Sequence, residues 1–377
     1  MARGVMMQGT VQIERASFDA LRAAWVALLP TSVTPFPFQS IEWAEAWWSV
    51  FGAGNELLLL SATDADDRVI GIAPLMLTET ALGRTIQFIG GADVTDYLDI
   101  VASEGDLGGV WSAVLDHLMA MRGEWDALDL HCLPQWSPSQ VTVTDLLSGT
   151  LAVEIGQEEV CPIVRLDGSF ETYLRALPKK ERHEVRRKAR NFERDAPTGR
   201  LRVITERADA LAVLPDFFRL HRLSAPDKER FLTPEVERFF AAMTGATADA
   251  GWLRLYQLEI DGAAVAAVFT FVADGRMLVY NSGYDPAYAH VSAGMVLVGM
   301  MIEDAARLGL TVFDFLRGNE AYKYRFGATD TPIWRVIAAP DRDAVRAEMT
   351  RMEAALRTPA DERDLAEAER ARAEGAE

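Results

Sequence analysis

The sequence predicts a mixed α/β protein built from two copies of one unit, each a central mixed sheet flanked by helices. Three observations carry that expectation. The chain has 377 residues, which suits two domains of about 100–200 residues each. The pattern VIGIAPLML, a helical stretch, then ALDLHC in the first half is matched by VAAVFTFVA, a helical stretch, then VFDFLR in the second, offset by roughly 185–195 residues. Hydrophobic residues make up 49% of the chain, enough for each half to bury a core. Residue identity between the copies is low, so the repeat is one of pattern. The expected limits are 1–164, 165–340, and a charged helical or disordered tail over 341–377.

In the first half, Phe18, Leu21, Trp25 and Leu28 recur at spacings of three and four and predict a helix over 11–29. The Pro-rich stretch TSVTPFPFQS breaks it, and IEWAEAWWSVF predicts a second helix. Trp43, Trp47 and Trp48 are expected to pack rather than to cage a ligand. Strands are expected over 56–63, 69–78, 85–90 and, briefly, 97–102, then a helix over 107–122 and a strand over 127–132. In the second half, helices are expected over 170–195, 208–223 and 234–244. Strands follow over 253–260, 264–273 and 277–283, joined by tight turns at Asp261-Gly262 and Asp274-Gly275. A helix over 292–308 ends at Gly309, before a strand over 311–316. The tail is rich in Ala, Glu and Arg. Val345, Met349, Met352 and Leu356 mark a surface helix, and the last ~15 residues lack the apolar content to pack.

Composition excludes several function classes. The formal net charge is −18, which repels nucleic acid in general while leaving room for a local basic site. The two cysteines, Cys132 and Cys161, form no CxxC or Cys/His cluster, so neither zinc nor a disulfide framework is indicated, in keeping with a reducing cytoplasm. The N-terminal stretch has no apolar core of a cleaved signal. The longest apolar runs, Ala263–Ala273 and Ala293–Ile302, are shorter than the ~18 residues that span a membrane. Walker, HExxH, GxSxG and EF-hand patterns are absent.

Two segments carry the chemistry. In YNSGYDPAYAHVSAGMV a strand ends near Asn281–Tyr284 and a helix opens at Ser292. With Ser292 as N-cap, the unpaired amides and dipole of the first turn favour an anion. The small Ser292, Ala293 and Gly294, following Val291, let a phosphate approach the backbone. In VFDFLRGNEAYKYRFG, Asp314 and Arg317 end a strand, Gly318 turns the chain, and Glu320, Tyr322, Lys323 and Arg325 follow. Ligands of open α/β sheets bind outside the C-terminal ends of the strands. Acyl transfer there needs a base, oxyanion donors and a proton for the leaving group. Glu, Tyr and Lys can fill these roles, and a solvated loop with surface ion pairs gives the same pattern.

The run PKKERHEVRRKARNFER holds eight Lys/Arg and three Glu. Val185, Ala189 and Phe192 would face the core. Arg182 and Arg186, one turn apart, are the members expected to grip a phosphate or acidic substrate; a charged solvent face is the alternative. Asp96 and Tyr97 are expected to line an interdomain groove that holds substrate. His221 is either structural or a base.

Together, ALPKKERHEVRRKARNFER, LEIDGAAVAAVFTF, the long YNSGYD…VFDFLRG stretch and EAYKYRFG resemble the CelD/BcsL group of the GNAT superfamily, over about 165–335. PFQSIEWAEAWW, GIAPLML and the later Asp-Tyr resemble that group's N-terminal part. The group is in turn similar to the FemAB aminoacyltransferases, which are tandem GNAT-like proteins. The resemblance implies tandem GNAT-like domains with the active cleft in the second and the acceptor held partly by the first. It also implies an acyltransferase of the N-acetyltransferase type, with acetyl-CoA as co-substrate, acting on an amine or hydroxyl of a sugar or cell-envelope precursor in polysaccharide or cellulose synthesis. Lys323 matches a lysine of the Fem pattern, where it would neutralise phosphate or developing negative charge. The usual pyrophosphate signature Q/R-x-x-G-x-G/A is replaced by AHVSAGMV, with one glycine, and the helical arm of many Fem proteins is missing. The catalytic candidates are Tyr284, Asp285, His221, Glu320, Tyr322 and Lys323, with the base left open among Asp285, His221 and Glu320. Asn281 and Arg317 join the substrate-binding candidates, and no metal is expected. The alternatives are an aminoacyl-tRNA-dependent transferase, the one case that would need nucleic acid, and a non-catalytic module of a polysaccharide-synthesis assembly.

Overall fold

The computed structural model describes residues 11–357. It divides into two compact units, the first running to Glu159 and taking in Pro332–Arg357, the second covering Val160–Thr331. No helix among the described residues is long and apolar enough to cross a membrane.

The first unit opens with strand β1 (Gln12–Arg15), which pairs antiparallel with β2, where Gln12 faces Thr63. The helix expected over 11–29 therefore starts later, as α1 (Phe18–Leu28), with Ser17 Oγ accepting from the Ala20 amide at 3.3 Å. Four edge residues are too few to show a period, so only the partner strand reveals β1. Helix α2 (Ile41–Phe51) is capped by Ser40 and buries Trp43 and Trp47. A meander follows: β2 (Glu56–Thr63), β3 (Val69–Thr80) and β4 (Gly83–Phe88). The short strand expected over 97–102 shrinks to β5 (Val101–Ala102), beside β3. Helix α3 (Glu104–Ala120), capped by Ser103, crosses over to β6 (Ala127–Pro134), which runs parallel to β4. Helix α4 (Ser139–Leu147) precedes β7 (Ala152–Arg165), within which the chain enters the second unit.

The helix expected over 170–195 is two helices, α5 (Phe170–Ala176) and α6 (Lys179–Asp195). Pro178 separates them because its ring forces Leu177 into an extended conformation, at ψ 147°. Then come β8 (Arg200–Ile204), α7 (Arg207–Ser224), α8 (Pro226–Phe231) and α9 (Pro234–Asp249). A second meander follows: β9 (Leu253–Ile260), β10 (Ala263–Ala273) and β11 (Arg276–Tyr284). Both of its turns have positive φ at both central residues, Asp261-Gly262 and Asp274-Gly275, the geometry that Asp-Gly favours in two-residue hairpins. Helix α10 (Ala293–Arg307) crosses over to β12 (Val312–Asp314), parallel to β11, and α11 (Ala321–Arg325) follows. The chain then returns to the first unit as β13 (Thr329–Ala339) and α12 (Arg342–Arg357).

The two strand orders match: β1-β2-β3-β4-β6-β13 in the first unit and β8-β9-β10-β11-β12-β7 in the second. The repeat legible in the sequence is thus a repeat of topology. It also corrects the expected limits, since residues 332–340 close the first unit rather than the second. Ile333, Trp334, Val336, Ile337 and Ala338 pair antiparallel with β6. In the tail, Val345 and Met349 of α12 pack on Ala127, Ile337 and Ala339 with Met352 partly buried beside them, the inner stripe of the surface helix that the spacing predicts. The expected fraying of the last ~15 residues lies outside the described residues, as does the N-terminal stretch before residue 11.

In the second unit, Leu297, Met301 and Ile302 of α10 pack on Tyr256, Leu258, Met277 and Phe313 of the sheet. This seats α10 across one face, with its N-terminus at the end of β11.

Candidate functional site

Strand β11 stays paired with β10 from Arg276 to Tyr284, but with β12 only from Arg276 to Leu278. After Asp314 the chain follows β7 instead, with the Phe315 amide donating to Pro162 O at 3.0 Å and the Gly318 amide to Val160 O at 3.1 Å. The two parallel strands therefore diverge beyond Leu278 and Asp314. The ladder of β10 and β11 shifts register between Phe269 and Thr270, so Tyr280, two residues into the diverging stretch, is the extra residue. Two parallel strands that part in this way leave main-chain edges and an opening that a ligand can enter.

The first unit fills the equivalent place with its own chain. There β4 pairs with β6 only at Thr85 and Ile86, and the segment after β4 folds back beside β6. The Leu98 amide donates to Cys132 O at 3.0 Å, and Cys132 Sγ donates to Thr95 O at 3.4 Å. Tyr97, fully buried, packs against Phe36, Phe38 and Trp136. Asp96 is buried as well.

At the mouth of the opening stands the first turn of α10. Its first helical bond runs from the Val296 amide to Ser292 O, which leaves the amides of Ala293, Gly294 and Met295 without a helical partner. Ser292 does not cap the helix as expected. It sits in the left-handed region at φ 55°, and its hydroxyl accepts from Lys188 Nζ at 3.0 Å. The reason is the short 3-10 turn over Pro286–Val291, which delivers the chain into α10 from the side, where an extended cap residue does not fit. Val291 and Ala293 turn their side chains into the core, so only main chain faces outward there. A Cβ on Gly294 would lie 3.9 Å from the Tyr284 ring, which places that half-exposed tyrosine beside the helix N-terminus.

Helix α6 brings Lys188 to this point. Burial, helped by the charges of Arg187 and Arg325, lowers the pKa of the Lys188 ammonium against the opposing pull of Glu184. Cations crowded at a helix N-terminus are the arrangement that an oxyanion relieves. Arg182 and Arg186 stand elsewhere: Arg182 donates to Arg175 O at 3.2 Å, and Arg186 pairs with Glu171 at 2.7 Å on the exposed face. Lys188 was hidden among eight like residues. Only its position one turn before Phe192, on the buried side, marked it.

Inside the opening, Asn281 Oδ1 lies 2.7 Å from His221 Nε2 and accepts from the Ser282 amide at 3.1 Å. Burial and the nearby charge of Lys228 push the His221 pKa down to about 4, so the ring is neutral and donates through Nε2. Helix α7 can bring His221 this close because Gly283 has no side chain; a Cβ there would lie 2.3 Å from the His221 nitrogen. Lys228 of α8 reaches in and donates to Ser282 O at 2.6 Å and to its Oγ at 3.2 Å.

Lys323 is almost fully buried. Its Nζ donates to the carbonyls of Leu316 at 3.2 Å, Arg317 at 2.7 Å and Gly318 at 2.9 Å, and pairs with Glu320 at 2.8 Å. It ties down the turn after β12, where Leu316 has φ 55° and Gly318 φ 103°. Glu320 folds over Gly318, and the half-buried Tyr322 packs edge-on to Phe315. Asp285 caps the 3-10 turn by accepting from the Ala287 amide at 3.0 Å, and lies 4.0 Å from Arg219. A hollow of ≈ 610 Å³ lined by Leu166, Phe170, Glu303, Arg307 and Thr311 sits at the other end of α10, where the helix dipole repels anions.

A GNAT acetyltransferase-domain family model matches residues 179–324, the stretch from the start of α6 to α11. No curated protein matches the chain. Among solved structures, FemX is similar with a TM-score of 0.64 and 12% identity, covering 88% of this chain and 98% of that one. The C-terminal domain of a putative lysylphosphatidylglycerol synthetase from Agrobacterium fabrum gives 0.56 and 11%, covering 88% and 96%. L-PGS from Bacillus licheniformis gives 0.51 and 12%, covering 82% and 94%. At such identities the likeness is one of fold.

Proposed function

We propose that the second unit transfers an acyl group from a CoA thioester directly to an amine or hydroxyl. The observation that carries this reading is the N-terminus of α10, open at the Gly294 main chain and flanked by Lys188 and Arg325, at the mouth of the opening between β11 and β12. A pyrophosphate satisfies the free amides and the crowded cations together. The thioester then points along β11, whose pairing with β12 stops at Leu278. An N–H on that edge or a nearby cation would hold the oxyanion. GNAT domains generally use acyl-CoA, and the family match over this region supports the same donor.

The acceptor class is proposed from the resemblance to the CelD/BcsL group: a sugar or cell-envelope precursor of polysaccharide synthesis, acted on in the cytoplasm. Calorimetry with acetyl-CoA, CoA and longer acyl-CoAs tests the donor. Sub-millimolar binding that is weakened by inorganic pyrophosphate is expected; no binding of any of them at millimolar concentration counts decisively against it.

A second reading, aminoacyl transfer as in the FemAB group, is favoured by the fold shared with FemX over 88% of the chain and by the exposed cations Lys179, Lys180 and Arg190 on α6. The net charge of −18 opposes a large polyanion. Charge reversal at Arg182 and Arg186 that leaves tRNA binding unchanged removes its support.

A further inference from the structure

Lys228 is absent from the residues that the sequence singles out, yet its ammonium sits against the diverging stretch of β11. Its helix, α8, has only six residues and lies outside the β9–β12 core of the unit. From there the side chain extends to the main chain of Ser282, four positions beyond Leu278, the last residue of β11 that pairs with β12. Both contacts are to one residue, Ser282 O at 2.6 Å and Ser282 Oγ at 3.2 Å. No carboxylate lies within ion-pairing distance of it among the described residues: Asp227, on its own helix, pairs with Arg230, and Glu320 is held by Lys323 at 2.8 Å. A half-buried lysine turned onto a main-chain edge without a salt bridge has no packing reason to be there, since a methionine fills such a space with no desolvation cost.

We infer that Lys228 is the proton acceptor for the incoming nucleophile of the acyl transfer. The inference rests on the acyl-transfer reading above. The geometry suits the task in the neutral state. An uncharged amine keeps two N–H bonds for Ser282 O and Oγ, and its lone pair occupies a remaining tetrahedral position. In the reaction, the nitrogen or oxygen of the acceptor forms a bond to the acyl carbon. The carbon–sulfur bond breaks, and its electron pair leaves with the CoA thiolate. The proton released by the attacking atom passes to Lys228 Nζ, converting amine to ammonium, and then to the thiolate or to solvent.

The surrounding charges agree. Lys323 of α11 faces Lys228 with a like charge and Glu320 with the opposite one, while the His221 ring of α7 beside it is neutral. Burial is the main influence and, with Lys323 adding and Glu320 opposing, brings the ammonium down to about 8. A base with that affinity is partly free at neutral pH and still accepts a proton strongly.

Two measurements on the full chain test this. In protein labelled with 13C at lysine Cε, the NMR signal that disappears in Lys228→Met is expected to titrate near pH 8; a midpoint near the ordinary value of about 10.4 overturns the inference. In turnover of acetyl-CoA with glucosamine, followed by thiol release, kcat should rise with pH through about 8. Lys228→Met and Lys228→Arg should both lower kcat by about 100-fold or more, abolish that pH limb and leave the KM for acetyl-CoA unchanged. The arginine variant separates the roles: it keeps a donor for Ser282 but cannot lose its proton. A Lys228→Arg protein with wild-type kcat shows that the residue only positions β11 and overturns the inference. If calorimetry finds no acetyl-CoA binding to the wild type, the donor reading fails, while the NMR titration still decides the state of Lys228.

Discussion

Lys188 Nζ donates to Ser292 Oγ at 3.0 Å, tying the basic helix α6 to the residue that opens α10. The contact occupies the hydroxyl of a serine that the preceding 3-10 turn holds in a left-handed position, where it does not cap its helix. Its hydroxyl holds the ammonium beside the free amides. Lys188→Met should weaken CoA binding by about 10- to 100-fold, the loss expected from a charged hydrogen bond of roughly 1.5–3 kcal/mol, with Lys188→Arg in between. Calorimetry checks it, and an unchanged Kd would detach the helix N-terminus from the donor.

Lys323 is expected to act through the backbone. Lys323→Met removes the donor shared by three carbonyls and strands Glu320, a loss on the order of 3 kcal/mol or more. Thermal unfolding should show a clear drop in Tm. Hydrogen exchange should rise across residues 315–325 first. A variant with normal Tm and selective loss of turnover would instead assign Lys323 to the reacting atoms.

Gly283→Ala forces a Cβ to within 2.3 Å of the His221 nitrogen and 2.5 Å of the Leu220 carbonyl carbon, both main-chain atoms that cannot turn aside. The expected cost is about 1–3 kcal/mol. Because the clash lifts α7 from β11, the His221–Asn281 bond should weaken too, seen as a shifted His221 ring resonance in NMR. A variant as stable as wild type, with that resonance unmoved, contradicts the close packing.

The two buried histidines should affect stability with opposite signs. His131 lies 2.6 Å from Glu158 and 3.0 Å from Asp129. Burial opposes its charged form, but the two carboxylates outweigh that and raise its pKa to about 9. Its folded value exceeds the unfolded value of about 6.5, so its contribution is complete below pH ~6.5 and is lost as pH rises through about 9. His221 has the reverse linkage. Its folded pKa is near 4, so its contribution is complete above pH ~6.5 and is lost as pH falls toward 4. Urea unfolding of the wild type, His131→Asn and His221→Asn across pH 4–10 checks both. The first variant should flatten the alkaline side of the profile and the second the acid side, each by on the order of 1–3 kcal/mol.

Much of the fold was legible because its signals are local. Ser40 and Ser103 cap helices that apolar spacing already marks. Asp261-Gly262 and Asp274-Gly275 dictate their own turns through positive φ. Where an element depends on a partner, the signal failed. Strands β1, β7, β8 and β13 were missed because pairing with a partner strand, not periodicity, makes them strands. The start of α6 at Lys179 was legible, because Pro178 suits the first turn of a helix, although the expected helical span ran over 170–195 as a whole. At the site, the neighbourhood of Tyr284, Ser292–Gly294 and Lys323 was readable from strand and helix ends. Lys188 and Lys228 were not, since each looks like any other charge on a charged helix.

The sequence by itself determined the repeated strand–helix–strand order, the place where α10 begins and the concentration of cations on α6, because periodicity, turn chemistry and composition act over a few neighbours. Only the tertiary structure decided that β11 and β12 diverge after Leu278 and Asp314, and that Tyr97 fills the corresponding place in the first unit. It likewise decided that Lys323 is consumed by three carbonyls while Lys228 reaches the edge of β11. Those outcomes depend on which backbone groups find partners across tens of residues, and hydrogen bonding at that range leaves no pattern in the local sequence.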